Sequence, residues 1–328
     1  MAEVQATPTI RLICALVILL PSVVGLILQI IILVAIRVGW KVMRANSFYI
    51  MMLQITVSNL IALFTDLYIA FPITLTGVQY LGDSFVFYHI PLFLEGFAFR
   101  VLLFFSFLLA INRMAIFLFP KVNTCLFSVK GTMILSLFGW TYSATILILN
   151  GAFGCEKIFS KEEFYFGYIC KNRVPGQFHF ADFVDYHSYV IPILMTLMYI
   201  TICIRIKISR KSTSVRNTNR VELRFLSQTI PLSILLCVEV LTFTFLPKFH
   251  VTGYARFIVT SIITLSIIAN NLAPPIILLM YNKDIRRYAR RAFCCMGTGT
   301  SPMHTTSRHE TSKALFTTTK PTRNNTTK

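Results

Sequence analysis

A small set of charged side chains lies within long apolar stretches of this chain, and these are the first candidates for chemistry. Asp66, Glu95, Arg100 and Glu239 fall inside such stretches, and Arg113 closes one of them. A charge at membrane depth costs about 2.5–3.5 kcal/mol on insertion scales, so such residues are functional candidates by default. The carboxylates Glu95, Asp66 and Glu239 are therefore candidate ligand-binding groups.

Glu95 is the sharpest of these candidates. It precedes Arg113 by eighteen residues, which corresponds to about five helical turns or roughly 27 Å on one helix. This places Glu95 near the outer mouth of a helix bundle, where a carboxylate would hold a cationic ligand. The alternative is a structural ion pair with Arg100, Lys248 or Arg256.

Arg100 is interpreted as a structural residue. A buried ion pair between Arg100 and either Glu239 or Asp66 would fix the arrangement of the helices. Such pairs add little net stability, but removal of one partner is strongly destabilising.

Polar and helix-breaking residues also occur at membrane depth. Asn59, Asn270 and Asn271 favour a hydrogen-bond network between helices. Pro274 and Pro275 follow directly and interrupt the helical hydrogen bonds, so they predict either a moving hinge or ordinary kinked packing.

The elements that carry these residues are membrane-length helices. The chain is 55% hydrophobic and 13% charged, with a mean hydropathy of +0.68, whereas soluble domains have roughly 25% charged residues. Runs of about twenty apolar residues span a bilayer as helices. The sequence predicts an all-α integral membrane protein, a seven-transmembrane helix bundle with spans near 10–36, 48–72, 90–111, 132–153, 187–208, 226–246 and 255–281.

The net charge of +18 is distributed unevenly. Lys and Arg concentrate in alternate loops and in the C-terminal tail, which is the positive-inside pattern. This distribution argues against nucleic acid and favours contact with anionic membrane lipid. It predicts a multi-pass protein of the plasma membrane, with the N-terminus outside and the C-terminus cytoplasmic.

The predicted domain organisation has three parts. Residues 1–9 form a short extracellular N-terminus, residues 10–293 the membrane domain, and residues 294–328 a disordered cytoplasmic tail. The segment after Tyr281 is typical of a short amphipathic eighth helix lying on the inner leaflet. Cys294 and Cys295 at its end are candidate palmitoylation sites.

The loop near 154–186 is predicted to be the longest outer loop. Cys155 and Cys170 within it are a candidate disulfide, with two free thiols as the alternative. His179, Asp182, Asp185 and His187 are too loosely spaced to predict a metal site. The chain has no hydrolase or phosphate-binding motif, so we expect no enzyme activity, cofactor or metal.

With these residues in place, the chain resembles rhodopsin-like G-protein-coupled receptors, and most closely the nematode serpentine chemoreceptors, class x. The resemblance covers roughly residues 10–293. Its marks are Ile111-Asn112-Arg113-Met114-Ala115-Ile116-Phe117-Leu118-Phe119-Pro120 with Leu126-Phe127-Ser128, Gly154-Cys155, Glu222-Leu223-Arg224-Phe225-Leu226-Ser227-Gln228, and Pro275-Ile276-Ile277 with Tyr281-Asn282-Lys283-Asp284-Ile285-Arg286.

The resemblance implies a chemosensory receptor for a small-molecule or peptide ligand, with a heterotrimeric G protein as its partner. It implies that Asn112 and Arg113 couple to this protein, together with Arg220 and Arg224 at the inner end of the sixth span. The alternative for Arg113 is an arginine that extends to the lipid headgroups.

Several positions depart from the usual pattern of the family. Asn112 stands where an acidic residue is usual, and Met114 where a tyrosine is usual. Tyr88 stands where rhodopsin-like receptors usually have a cysteine at the outer end of the third span, so Cys155 or Cys170 lacks its customary partner, and the two are expected to pair with each other. These departures keep two alternatives open, namely a ligand-gated channel or transporter that uses the intramembrane charges, and a receptor-like membrane protein that does not signal.

Overall fold

Seven long apolar helices dominate the computed structural model, which describes residues 6–171, 178–209, 219–249, 251 and 253–297. The prediction of a seven-transmembrane helix bundle is confirmed. The membrane-length segments are Pro8–Met43, Ser47–Thr76, Phe85–Leu118, Val129–Ala152, Phe180–Ile208, Leu226–Phe245 and Ala255–Tyr281.

Within the described residues, ten α-helices make up these spans and their extensions. Polar side chains begin several of them, since Thr7, Asn46 and Ser128 each accept a hydrogen bond from a first-turn N–H, as N-cap residues do. The helices are α1 (Pro8–Met43), α2 (Ser47–Thr65), α3 (Phe71–Thr76), α4 (Ile90–Leu118), α5 (Pro120–Leu126), α6 (Val129–Ala152), α7 (Phe180–Ser209), α8 (Asn219–Phe245), α9 (Ala255–Tyr281) and α10 (Lys283–Gly297).

Tighter and wider helical turns connect some of these helices. A π-helical segment, Asp66–Ala70, joins α2 to α3, a second one, Phe85–His89, leads into α4, and a 3-10 turn, Leu246–Lys248, follows α8. The second span is therefore one continuous helix with a wide turn at Asp66. Wide turns of this kind are frequent at functional sites.

A two-stranded antiparallel hairpin covers one end of the bundle, which we call the hairpin end. Strand β1 (Cys155–Ser160) pairs with β2 (Tyr165–Cys170), so that Cys155 lies opposite Cys170 and Lys157 opposite Tyr168. We call the other end, where α4 finishes, the Arg113 end. Alternation along each strand turns one face of the hairpin, which includes Lys157 and Tyr168, towards the bundle.

The hairpin and the start of α7 correct the prediction for residues 154–186. That stretch was predicted as one solvated loop, but the structure has strands at 155–160 and 165–170, and α7 begins at Phe180. Asp182 and Asp185 therefore lie in the first two turns of a helix. Residues 172–177 lie outside the described part of the chain.

The eighth helix, α10, packs beside the C-terminal part of α1. Its first turn is capped by Asn282, whose Oδ1 accepts from the backbone N–H groups of Asp284 and Ile285 at 3.1 Å. Ile285 is fully buried, and the ring of Tyr288 lies against Gly39 of α1. The side chains of Cys294 and Cys295 and residues 298–328 lie outside the described residues, so palmitoylation and the disordered tail stay predictions.

Candidate functional site

A cavity of about 390 Å³ lies beneath the hairpin. This volume is within the range of small-molecule sites. Residues of α4, α7, α8, α9 and both strands line it. Its charged lining residues are Glu95, Arg100, Lys157, Asp185 and Glu239, and its aromatic walls include Phe99, Phe166, Tyr168, Tyr189 and Phe243.

Lys157 points from β1 into this cavity and forms an ion pair with Glu95. Only 9% of the lysine side chain and 5% of the glutamate side chain are exposed. The Lys157 ammonium also lies 5.3 Å from the ring centre of Phe166 and 5.5 Å from that of Tyr168, within the range of cation–π attraction. Glu95, the carboxylate predicted to bind a cationic ligand, is thus already paired with the ammonium group of Lys157.

The pKa of Lys157 reflects its surroundings. Burial lowers it to about 7, against the opposing attraction of the Asp66 and Glu239 carboxylates. Loss of hydration disfavours the charged form of a buried lysine. The lysine side chain can therefore change its charge near neutral pH.

Glu239 and Asp66 lie on other sides of Lys157. Glu239 lines the cavity and accepts a hydrogen bond from Asn270 Nδ2, which joins α8 to α9. Asp66 is 2% exposed and opens the π-helical turn without lining the cavity. The structure thus brings all three candidate carboxylates around one lysine, but places only Glu95 and Glu239 at the cavity wall.

Arg100 does not form the ion pair predicted for it. Its Nη1 donates to Ser188 Oγ at 2.8 Å and to the Val184 carbonyl at 3.4 Å, and it also hydrogen-bonds the Tyr168 side chain. Arg100 therefore links α4 to α7 and to the hairpin through neutral groups. Glu239 and Asp66 instead attract Lys157 electrostatically.

Close contact between α4 and the hairpin requires a glycine beside Glu95. A Cβ at Gly96 would lie 2.9 Å from the Tyr168 hydroxyl oxygen and 3.4 Å from a methylene of Lys157. The first distance is shorter than carbon–oxygen van der Waals contact. Gly96 thereby allows both side chains of the hairpin to reach α4.

The turn of the hairpin is held by α1 and α9. Phe164 has a positive φ of 58°, which is unusual for a bulky residue and persists where the surroundings impose it. Its ring stacks on Phe257, the guanidinium of Arg11 lies 5.2 Å above it, and its carbonyl accepts from Thr264 at 2.9 Å. These contacts fix the hairpin over the cavity.

Two further contacts secure the hairpin. Arg256 forms an ion pair with Glu163, so it is not the partner that had been considered for Glu95. Tyr88, which stands where the family usually has a cysteine, accepts a hydrogen bond from the Phe159 N–H at 3.2 Å. A hydrogen bond thus attaches the third span to the hairpin at this position.

The two cysteines of the hairpin are joined by a disulfide, Cys155–Cys170, with a sequence separation of 15. His179 lies beside them, with its Nδ1 4.0 Å from Cys155 Sγ. Both sulfur atoms are already bonded, and His179 Nδ1 accepts from the Ala181 N–H at 3.2 Å. This group therefore lacks the free thiolates that a metal would need.

Arg113 lies buried inside the bundle at the opposite end. It is 1% exposed, and its guanidinium lies 5.3 Å from the centre of the Phe48 ring. The alternative interpretation, in which Arg113 extends to lipid headgroups, does not fit this position. The side chains of Arg220 and Arg224 lie outside the described part of the structure, so their role stays a prediction.

Asn112, the residue before Arg113, joins three elements. Its Nδ2 donates to Ser47 Oγ at 3.3 Å and to Asn123 Oδ1 at 3.1 Å. Asn112 therefore connects α4 to the start of α2 and to α5. A neutral amide performs this link at the position where the family usually has an acid.

The predicted polar network near Pro275 has a clear cause. Because Pro275 has no N–H, the carbonyl of Asn271 loses its usual helical donor. Gln29 Nε2 donates to that carbonyl at 2.8 Å and Asn59 Nδ2 at 3.3 Å. The first, second and seventh spans thus meet at the weakened turn of α9.

Sequence reasoning missed two of these functional residues, Lys157 and Gln29. Lys157 lies in the stretch that the sequence predicted only as the longest outer loop. The alternation Cys155-x-Lys157-x-Phe159 is typical of a strand with one buried face and could have revealed it. Gln29 is a polar residue within the first apolar run, and its depth in the membrane predicts a hydrogen bond between helices in the same way as that of Asn59.

A comparison with protein families agrees with the seven-helix geometry. The model of the family described as serpentine type 7TM GPCR chemoreceptor Srx matches residues 19–282. No match was found among curated proteins. The matched range includes every span except the start of the first, and it contains both the cavity and Arg113.

Proposed function

This chain belongs to the serpentine chemoreceptor Srx family, and we propose that it binds a small ligand under the hairpin and activates a heterotrimeric G protein. The observation that carries the proposal is the cavity of about 390 Å³ with its buried charges. Pockets of this size with a few placed polar groups on apolar walls are typical ligand sites. Glu95 and Glu239 belong to its wall, and Asp66 attracts Lys157 electrostatically.

The hairpin end faces the outside of the plasma membrane in this proposal. Its disulfide favours an oxidising compartment, and exposed basic residues such as Arg37, Lys41 and Lys130 lie at the Arg113 end. Lys and Arg concentrate on the cytoplasmic side of membrane proteins. The N-terminus would then be extracellular and α10 cytoplasmic.

Signalling requires that the ligand bind one arrangement of the helices more tightly than another. The cavity contacts α4, α7, α8 and α9, so a ligand there acts on the helices whose other ends surround Arg113. Glu239 and Asn270 couple α8 to α9 directly beside the cavity. A change in this contact would shift α8 and expose Arg113 to the Gα subunit.

The proposal is tested by a calcium response to a broad odorant and peptide panel in cells that express the chain, with and without Gα subunits. We expect responses that disappear without Gα. Responses that persist would instead make the chain a channel or a carrier, with Asp66, Glu95 and Glu239 along its pathway. No response to any compound, despite normal surface expression, would contradict the receptor proposal.

The predicted role of Glu95 is tested in the same assay. A cationic ligand must displace Lys157 to reach Glu95, so Glu95→Gln should raise the half-maximal concentration of such an agonist at least tenfold. Glu163→Gln is the matched control, since it removes a carboxylate of the hairpin that pairs outside the cavity. Equal responses of both variants would remove Glu95 from the ligand site.

A further inference from the structure

Among the described residues, Arg100 lines the cavity without a carboxylate in contact with its guanidinium. It is 6% exposed, and its hydrogen bonds go to Ser188, Val184 and Tyr168, which are all neutral groups. Its Nε has no hydrogen-bond partner within the described residues. An arginine keeps its charge in proteins, so a buried cation is held here by neutral groups.

The acidic groups of the cavity are engaged elsewhere. Glu95 pairs with Lys157, and Glu239 accepts from Asn270. Asp185 also lines the cavity and attracts Arg100 electrostatically, but Asp185 is exposed. Among the described residues, however, no ion pair joins Asp185 to Arg100.

We propose that the ligand of this receptor carries a carboxylate group and that Arg100 binds it. The inference rests on the proposed ligand-binding function of the cavity and names the chemical class of that ligand. A guanidinium presents parallel N–H groups that match the two oxygen atoms of a carboxylate. The unpartnered Nε of Arg100 and the cavity volume supply the donor and the space.

The rest of the ligand is apolar in this proposal. Phe99 and Tyr168 contact Arg100, and Phe243 and Ile267 also line the cavity. Aromatic and aliphatic walls stabilise an apolar ligand body by burial. Small organic acids with an aryl or alkyl body therefore fit the site better than amines, which would first have to separate Lys157 from Glu95.

The first test is binding by the purified chain in detergent. Its apparent melting temperature is measured with a panel of small aryl and alkyl carboxylates, each beside its methyl ester and the corresponding primary amine. We expect stabilisation by at least one carboxylate and not by its ester. Stabilisation by amines or esters alone, or by no carboxylate, would overturn the inference.

Variants of Arg100 give the second test. Arg100→Gln keeps donors for Ser188 and Val184 but removes the charge, and should weaken the binding of that carboxylate at least tenfold. Arg100→Lys restores the charge without the planar fork and should recover part of the loss. The matched control Arg37→Gln removes an exposed arginine at the Arg113 end of the bundle, and should bind as the unmodified chain does.

These experiments separate the inference from the proposed function, because thermal stabilisation needs no G protein. Carboxylate binding that depends on Arg100, without any Gα-dependent response, would support the inference and contradict the proposed signalling. A Gα-dependent response to amines that is unchanged in Arg100→Gln would support signalling and contradict the inference.

Discussion

The buried ion pair between Lys157 and Glu95 gives the sharpest quantitative prediction, because the same hairpin carries an exposed pair for comparison. The side chains of Lys157 and Glu95 are 9% and 5% exposed. Those of Lys171 and Glu156, which are 3.0 Å apart, are 66% and 49% exposed. Replacement of each lysine by methionine therefore tests burial with the residue types held constant.

Lys157→Met leaves the Glu95 carboxylate buried without its counterion. Removal of one partner of a buried pair costs about 3–5 kcal/mol, whereas an exposed pair contributes about 0–1 kcal/mol. For a chain of 328 residues, an unfolding entropy of about 2.1 cal/mol/K per residue gives about 1.5 °C per kcal/mol, so Lys157→Met should lower the apparent melting temperature by about 4–7 °C. Lys171→Met should lower it by less than about 2 °C on the same scale.

The assay is thermal unfolding of the purified chains in detergent at pH 6, where Lys157 retains most of its charge. The double variant Lys157→Met with Glu95→Gln removes both charges and should recover at least half of the loss, since no charge is then left buried alone. Equal melting temperatures for Lys157→Met and Lys171→Met would refute the reasoning. A double variant that is less stable than Lys157→Met would refute it as well.

Two further predictions concern the hairpin and α9. Gln29→Leu should lower the free energy of unfolding by about 1 kcal/mol. The loss should be smaller in a Pro275→Ala background, where a new backbone N–H donates to the Asn271 carbonyl. Equal losses in the two backgrounds, measured by thermal unfolding, would contradict this account. Tyr88→Phe should lower the free energy of unfolding by about 1 kcal/mol and increase proteolysis within the hairpin. Unchanged cleavage would mean that the Tyr88 hydroxyl does not tether β1.

The sequence predicted the helical bundle well because each span carries its own signal. A run of about twenty apolar residues can cross a bilayer in few ways. The seventh span, α9, has the predicted bounds 255–281. The hairpin was not predicted, since its strands are six residues long and its charges balance. A short alternating segment gives a weak signal until it is known which face is buried.

The candidate site could be predicted in part. Glu95 and Glu239 were singled out as costly charges and lie at one cavity, because any intramembrane charge must find a partner. The identity of the partner was not predictable, since Lys157 approaches from a hairpin and Arg100 turns towards α7. Which side chains meet depends on helix rotation, and the pattern of apolar residues does not determine the rotation of helices that are apolar all round.

We propose that the chain activates a G protein through Arg113. The most direct measurement is nucleotide exchange on purified Gα subunits of several classes, with the chain reconstituted in lipid and stimulated by a ligand that stabilises it. We expect exchange that is lost in Arg113→Gln and retained in Arg37→Gln, which removes an exposed arginine at the same end of the bundle. Exchange by Arg113→Gln at the unmodified rate, or no exchange with any Gα subunit, would contradict the account.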